Sequence, residues 1–216
     1  ITLPLWALLY LSILTTILES MPNFSGYIYG LTGALKTTLA LMLQSHFGYF
    51  PAISLLQNFE DTANSLEKRS FILKDALMVL DDFHPSNKKA DAETMEGKAQ
   101  RLIRSYSNRT GRGRLNADTT DKGRYEPRGM LLITGEELVS LQSTLARVII
   151  IEICKGDIDL EKLTALQQKA KLLPHAMTSF IHWVSNNIQE IKTSFPNEFI
   201  QLRQKAYKDS IHAKLP

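Results

Sequence analysis

The chain is poor in cysteine and lacks any spacing of ligands for a structural metal. Its single cysteine, Cys154, has no partner for an internal disulfide, and no set of cysteines and histidines shows zinc-ligand spacing. A disulfide-stabilised secreted domain and a structural zinc site are therefore both disfavoured, and a cytoplasmic protein is favoured. With 216 residues, 44% of them hydrophobic and 22% charged, the composition is that of one compact globular domain.

The chain also lacks a convincing membrane span. Residues 1–18 carry no charge, which is close to the length of a transmembrane helix. However, Thr2, Ser12, Thr15 and Thr16 interrupt this run, no basic residue precedes it, and Glu19 ends it. We therefore expect residues 1–20 to form a buried helix, without membrane association. Because the sequence begins with Ile1 rather than Met, we also expect it to be a piece of a longer protein.

A glycine-rich turn between a strand-like run and a helical run is the first functional signal. The turn has the pattern of a phosphate-binding loop, in which backbone N–H groups and a helix N-terminus enclose phosphates. Lys36 is placed to meet the outer phosphate oxygens, and the Thr37 hydroxyl is placed to bind Mg²⁺. The pattern departs from G-x-x-x-x-G-K-[ST] at Leu35, where a side chain would crowd a loop that needs a positive φ. The predicted nucleotide-binding residues are Gly30, Leu31, Thr32, Gly33, Ala34, Leu35, Lys36, Thr37 and Thr38.

Two carboxylates follow the next apolar run, at residues 75–82. A continuous apolar run is typical of a buried parallel strand, and parallel sheets bind ligands at the carboxyl ends of their strands. Asp81 is predicted to hold Mg²⁺, and Asp82 to polarise the attacking water. Many P-loop motors have Glu at the second position, so Asp82 must approach more closely or act through another water.

A third apolar run, at residues 130–133, ends in Thr134. We predict that this strand lies between the strands of the phosphate-binding loop and of the aspartate pair, so that Thr134 holds the lytic water or senses the γ-phosphate. Further runs at 148–151 and 53–56 complete a mainly parallel sheet of about five strands covered by helices on both faces, an α/β fold. After Lys155 the pattern is helical only, at about 160–171, 175–192 and 199–211. The predicted division is an N-terminal helix (1–20), a core (21–155) and a C-terminal helical lid or connector (156–216).

Positive charge is concentrated in one segment. Residues 98–128 carry nine basic and three acidic residues, a local balance of +6, so the rest of the chain totals −3. Arginine binds phosphate in bidentate fashion, and the interspersed glycines allow a close backbone approach. Two functions remain open for this segment: contact with a nucleic-acid backbone, or insertion of an arginine into a neighbouring subunit's nucleotide site. The candidates are Arg104, Arg109, Arg112, Arg114 and Arg128.

Four segments together resemble a known family: residues 59–68, 74–85, 108–114 and 127–137. They are similar to the helicase-like P-loop ATPase domain associated with primases of bacterial phages, plasmids and integrative elements, within the AAA+/RecA-like superfamily. The similarity extends over about residues 1–185. The resemblance implies ATP hydrolysis with Mg²⁺, assembly into a homo-oligomeric ring, action on DNA, single-stranded by expectation, and association with primase or other replication domains.

The resemblance also implies roles for single residues. The phosphate and metal roles pass to Lys36, Thr37 and Asp81, the catalytic role to Asp82, and the sensor role to Thr134. Arg147 is the first candidate for an arginine acting in trans, ahead of Arg109 and Arg112. Relatives in this group also carry a bulky residue directly before the lysine.

Two alternatives to the motor function remain. The first is a module that binds nucleotide without hydrolysing it, or hydrolyses it weakly, and uses ATP to assemble on DNA or on a protein partner; Leu35 and Asp82 favour it. The second is a small-molecule kinase, which is disfavoured because the sequence shows no acceptor pocket or lid arginine set; the arginine-rich segment also disfavours it.

Overall fold

The computed structural model describes residues 2–18, 23–48, 56–115, 119 and 121–208. Its central sheet has five strands, all parallel, and a separate two-stranded antiparallel hairpin lies in the basic segment. The strands are β1 (Ser25–Tyr29), β2 (Gln57–Asn58), β3 (Leu77–Phe83), β4 (Arg114–Leu115), β5 (Asp121–Lys122), β6 (Met130–Gly135) and β7 (Val148–Glu152). The sheet order is β2-β3-β6-β1-β7, with the hairpin formed by β4 and β5.

This topology confirms the predicted α/β fold with a mainly parallel five-stranded sheet. It also confirms that the strand ending in Thr134 lies between the other two strands of the site, because β6 pairs with β3 on one side and with β1 on the other. The predicted edge strand at 53–56 lies mostly outside the described residues. The edge strand that the structure does describe is the short β2.

Eight helices in the described residues connect the strands and form the C-terminal part. They are α1 (Thr2–Ile13), α2 (Lys36–Gln44), α3 (Ala63–Ile72), α4 (Lys89–Asn108), α5 (Gln142–Leu145), α6 (Leu160–Gln168), α7 (Leu173–Asn186) and α8 (Ile188–Lys208). Short 3-10 turns lie at Ser45–Phe47 and Ala170–Leu172. Among the described residues, none of these helices combines the length and the apolar character needed to cross a membrane.

The core consists of two layers, one on each face of the sheet. Successive residues of a strand point to opposite faces, so Ile28 packs with α1, α2 and α7, whereas Tyr27 packs with α3 and α4. In β6 the same alternation separates Leu132 from Leu131 and Ile133. Both faces are therefore apolar, which explains why the strands appear in the sequence as continuous apolar runs.

The N-terminus of α3 is capped by Thr62, whose side chain accepts a hydrogen bond from the Ser65 N–H (3.2 Å). Within α3, Glu67 is buried, and its carboxylate lies 3.8 Å from the Arg101 guanidinium.

The C-terminal helices differ from the predicted helices at about 175–192 and 199–211. In the structure α7 ends at Asn186, and α8 runs on through Pro196. The side chain of Asn187 donates to the Trp183 carbonyl (2.7 Å) and so helps to end α7.

Candidate nucleotide site

The glycine-rich turn connects the carboxyl end of β1 to the N-terminus of α2. Gly30 is required there because a Cβ on this residue would lie 2.2 Å from the Ile153 carbonyl oxygen, which belongs to the segment just after β7. The Ile153 N–H in turn donates to the Tyr29 carbonyl (2.8 Å). Further along the turn, Gly33 has a φ of 81°, a conformation that glycine adopts without strain. The turn therefore lies against the end of β7, in the place predicted for the phosphate-binding loop.

Leu35 occupies the position where the loop pattern expects a second glycine. Its φ is 66° and its ψ 24°, so the position does require the left-handed conformation, as the sequence suggested. Such a conformation costs a residue with a side chain about 1–2 kcal/mol. The Leu35 side chain packs beside Met42 of α2 and Leu163 of α6, so its packing offsets part of that strain. Leu35 thus links the loop to the C-terminal helices.

Lys36 lies inside the loop rather than in solvent. The residue is only 8% exposed, and its ammonium donates to the carbonyls of Gly30 (2.7 Å) and Leu31 (3.1 Å). The loop backbone therefore holds a compact cation at its centre, beside the N-terminus of α2. A buried ammonium bound to carbonyl oxygens is well placed to exchange them for phosphate oxygens.

Thr37, Asp81 and Thr134 form one hydrogen-bonded group across three elements. The Asp81 carboxylate oxygen Oδ1 accepts from Thr37 Oγ1 (3.1 Å) and from Thr134 Oγ1 (2.5 Å). Thr134 is fully buried and Asp81 nearly so. The structure thus brings together the predicted metal ligands and the predicted sensor, which are far apart in sequence.

A β-bulge in β3 positions the two aspartates. Leu80 pairs with Ile133 and Phe83 pairs with Gly135, so two residues of β3 oppose the single Thr134 of β6. Asp82 has a φ of 65°, its N–H donates to Thr134 Oγ1 (3.0 Å), and its side chain is exposed. The bulge therefore buries Asp81 against the loop and leaves Asp82 facing solvent beside it.

Glu136 is a site residue that the sequence interpretation did not single out. It follows β6, and its carboxylate accepts a hydrogen bond from the Thr32 hydroxyl of the loop. The other carboxylate oxygen lies 3.6 Å from His84 Nδ1. Its place two residues after Thr134, at the same strand tip, is the signal that would have pointed to it.

The oxygen atoms of Thr37 and Asp81 fit a magnesium site. Mg²⁺ in nucleotide sites usually takes one or two protein oxygens and completes its shell with water and substrate phosphates. Among the residues described, no group of three or more His, Cys, Asp or Glu side chains could hold a metal. Such a site would therefore depend on a bound phosphate for the rest of its ligands.

A cavity of about 240 Å³ adjoins the loop helix. Thr2 of α1 and Leu39 of α2 form one side, and Ile158, Leu163 and Leu166 contribute apolar surface from the segment after β7. Leu39 lies one turn along α2 from Lys36, so the cavity opens near the phosphate-binding loop.

Arg147 lies at the amino ends of the parallel strands β1 and β7, whereas the loop lies at their carboxyl ends. It directly precedes β7, and its carbonyl accepts from the N–H of Ser25 at the start of β1. Its guanidinium is half-buried and donates to the Ser143 carbonyl. Since β1 and β7 are parallel, about 15 Å of strand separates Arg147 from the loop of the same chain.

Two of the predicted phosphate-binding arginines make internal contacts. Arg109 Nη1 donates to the Gly129 carbonyl (2.6 Å), and burial lowers the pKa of this guanidinium. Arg128 Nε donates to the Phe71 carbonyl (2.7 Å), and its guanidinium carbon lies 3.8 Å from the centre of the Phe71 ring. Both arginines therefore fasten the basic segment to the domain, a role that the sequence did not reveal.

Two further arginines of this set, Arg104 and Arg112, are exposed. Arg104 and Arg112 line a cavity of about 530 Å³, together with Arg101, Asn108 and Tyr125. Gly111 permits this arrangement because its Cβ position lies 2.7 Å from the Tyr125 backbone. Arg114 belongs to β4, where its backbone pairs with Lys122 of β5.

Comparisons with known proteins show the fold. No protein-family model and no curated protein matches the chain. A solved structure described as SCCmec type IV Cch, active helicase, superposes with a TM-score of 0.60 at 17% identity, covering 96% of this chain and 40% of that one. Two structures of JCV helicase, one with a bound acetamide compound, give TM-scores of 0.44 and 0.45 at 13% and 15% identity, over 96% of this chain and 61% and 60% of theirs. The chain therefore shares the fold of the matched part of the Cch structure, and it spans less than two thirds of the length of each of these neighbours.

Proposed function

We propose that this chain is the motor domain of an ATP- and Mg²⁺-dependent helicase that acts on DNA. The observation that carries the proposal is the contact of Asp81 with Thr37 and Thr134, next to a loop that holds the Lys36 ammonium at its centre. A phosphate-binding lysine, a magnesium-binding hydroxyl and carboxylate, and an exposed second carboxylate together form the set that phosphoryl transfer to water requires. The helicase-like fold supports this assignment.

Each residue has a distinct part in the proposed reaction. Lys36 neutralises charge on the β- and γ-phosphates, and Thr37 and Asp81 hold the metal ion. Bound Mg²⁺ would supply charge neutralisation at the phosphate oxygens. Asp82 accepts a proton from the attacking water. The Thr134 hydroxyl fixes the position of Asp82 by accepting a hydrogen bond from the Asp82 backbone N–H.

The remaining parts of the nucleotide have places in the same region. Backbone N–H groups of residues 30–38 surround the phosphates, and the cavity between Leu39 and Leu163 is large enough for a nucleobase. The segment 156–216 therefore acts as a lid over the core at 21–155, and the helix within 1–20 closes the cavity from the other side.

Arg147 is proposed to act on the nucleotide of a neighbouring copy. Arg147 is too far from its own loop to act in the same site. Docking of the amino end of one copy's β7 against the next copy's loop would bring Arg147 to that loop. A guanidinium supplied in this way stabilises charge in the transition state. Closure of such contacts gives a ring. Mixing Lys36→Ala and Arg147→Ala chains tests this arrangement, because some mixed interfaces would then contain an intact lysine and an intact arginine and regain activity.

The exposed arginines Arg104 and Arg112, together with Arg114 of β4, are proposed to contact the backbone of single-stranded DNA. The cavity beside α4 carries several guanidinium groups next to Tyr125, a combination suited to phosphate and base. Removing one phosphate contact lowers the slope of log Kd against log salt by about one. We expect Arg104→Ala and Arg112→Ala to show that change with labelled oligo-dT, and Lys192→Ala, on exposed α8, to leave the slope unchanged. Equal slopes for all variants would contradict the DNA assignment.

The central experiment measures ATP hydrolysis with and without single-stranded DNA. We expect DNA-stimulated turnover that Lys36→Ala abolishes and that Lys192→Ala, an exposed lysine of α8, retains. Absence of both nucleotide and DNA binding by the wild-type chain would refute the proposal.

A second function is favoured by two observations at the same site. The strained backbone of Leu35 and the short side chain of Asp82 suit a module that binds ATP and assembles on DNA or a partner with little or no hydrolysis. Saturable ATP binding without turnover, at any DNA concentration, would select this function over the motor.

The proposed setting is replication of a mobile element, with primase or other replication domains as partners. It rests on the four sequence segments that resemble primase-associated ATPases. Co-purification of this domain with such a primase is the corresponding test.

A further inference from the structure

The segment after β7 lies directly on the phosphate-binding loop. The Ile153 N–H extends the β1–β7 ladder to the Tyr29 carbonyl (2.8 Å), and the absence of a side chain at Gly30 lets the Ile153 carbonyl reach the loop backbone. The two chain segments are thus held together by backbone contacts. Residues that follow Ile153 must therefore emerge at the same edge of the sheet as the loop.

A tight turn then fixes the direction of the chain. The Asp157 N–H donates to the Cys154 carbonyl (3.2 Å), and the Cys154 N–H donates back to Asp157 Oδ2 (2.8 Å). Gly156 has a φ of 95°, which glycine adopts readily. These contacts give Lys155, at the tip of the turn, a defined position.

Lys155 projects over the middle of the loop. Its Cε lies 3.6 Å from the place that a Cβ on Gly33 would occupy, and both residues are exposed. In the described part of the chain Lys155 makes no hydrogen bond and no ion pair. Its ammonium is thus a cation near the loop backbone that is available to a ligand.

We propose that Lys155 is a second phosphate-binding cation, which contacts the phosphates of a nucleoside di- or triphosphate from the side opposite Lys36. This inference rests on the proposed nucleotide-binding function and adds a residue to it. Lys36 approaches the phosphates from inside the loop, where Gly30 and Leu31 hold its ammonium. Lys155 approaches from solvent, across Gly33. Two cations on opposite sides would neutralise the phosphate charge more fully than one.

The position also connects the phosphates to the lid. Lys155 is followed within the same turn by Asp157, and both Asp157 and Ile158 line the cavity assigned to the base. A contact between Lys155 and phosphate would therefore hold the start of the lid in place when nucleotide is bound. The sequence did not suggest this role because only the pairing of β1 with β7 brings the turn to the loop.

The test is equilibrium binding of ATP and ADP to Lys155→Ala, Lys155→Arg and the control Lys192→Ala. A charge-assisted contact to an exposed phosphate corresponds to about a tenfold change in Kd. We expect Lys155→Ala to lose about that factor at low salt and less at high salt, because salt screens exposed charges. Lys155→Arg keeps the cation and should remain close to wild type, as should Lys192→Ala.

Two results would overturn the inference while leaving the proposed function intact. One is wild-type ATP affinity in Lys155→Ala at low salt. The other is an equal loss of affinity in Lys155→Ala and Lys155→Arg together with a lowered melting temperature, which would indicate that the side chain only supports the turn. Failure of the wild-type chain itself to bind ATP would instead refute the proposed function, and this inference with it.

Discussion

Replacing Leu35 separates two opposing effects at the phosphate-binding loop. The left-handed backbone at this residue costs a side chain about 1–2 kcal/mol relative to glycine, whereas the packing of the side chain with the C-terminal helices stabilises the fold. Because Leu35 is only partly buried, Leu35→Ala should lose about 2 kcal/mol, the low end for such truncations. Leu35→Gly loses the same packing but relieves the strain, so it should lose only about 1 kcal/mol.

The assay is urea denaturation of the wild type and both variants, with the slope m required to be the same for all. In a chain of this size a difference of about 1 kcal/mol corresponds to about 2–4 °C in melting temperature, so thermal unfolding gives a second measurement. Ala176→Gly is the control, since it lies at an exposed position of α7, where glycine should destabilise by about 1 kcal/mol relative to alanine. A Leu35→Ala variant as stable as Leu35→Gly would refute the assignment of strain.

Three further predictions concern other parts of the site and core. Thr134→Val removes the hydroxyl that accepts a hydrogen bond from the Asp82 N–H, so we expect the free energy of unfolding in urea to fall by about 1–3 kcal/mol, whereas Thr134→Ser keeps the hydroxyl and should retain most of the wild-type stability. Gly30→Ala should lower melting temperature and nucleotide affinity because its Cβ would meet a backbone oxygen, whereas Gly97→Ala, with open space around it, should stabilise α4 by about 0.5–1 kcal/mol. Burial lowers the pKa of His46, so the unfolded chain takes up its proton first and stability should fall as the pH drops below about 6.5. His46→Phe should flatten that part of the pH–stability curve, and an unchanged curve would contradict the assignment.

The parts of the fold that were predictable are those whose signals are local. Residues 130–133 form a continuous apolar run, and the strand they predict is fully buried in β6. The polar residues at the tips of β3 and β6 mark the carboxyl ends of the strands, and so the sequence alone predicts that Asp81 and Thr134 lie close together.

The parts that were not predictable depend on pairing between distant segments. The bulge that separates Asp81 from Asp82 arises because β3 has one residue more than β6 between two paired positions, and nothing in residues 75–83 alone indicates it. The internal contacts of Arg109 and Arg128 have the same origin, since their carbonyl acceptors at Gly129 and Phe71 lie elsewhere in the chain. The sequence shows that this segment is rich in arginine, but it does not show which of these arginines are exposed to solvent.

Arg147 and the loop lie at opposite ends of the strands, and this placement determines how many nucleotide sites are complete in an assembly of several copies. In an open row of n copies joined edge to edge, one loop at the end has no arginine from a neighbour, so only n − 1 sites are complete, whereas a closed ring completes all n. In the proposed assembly, turnover per chain would therefore increase with protein concentration until rings close. A single arginine-deficient chain in a ring would silence its neighbour's site and leave its own intact.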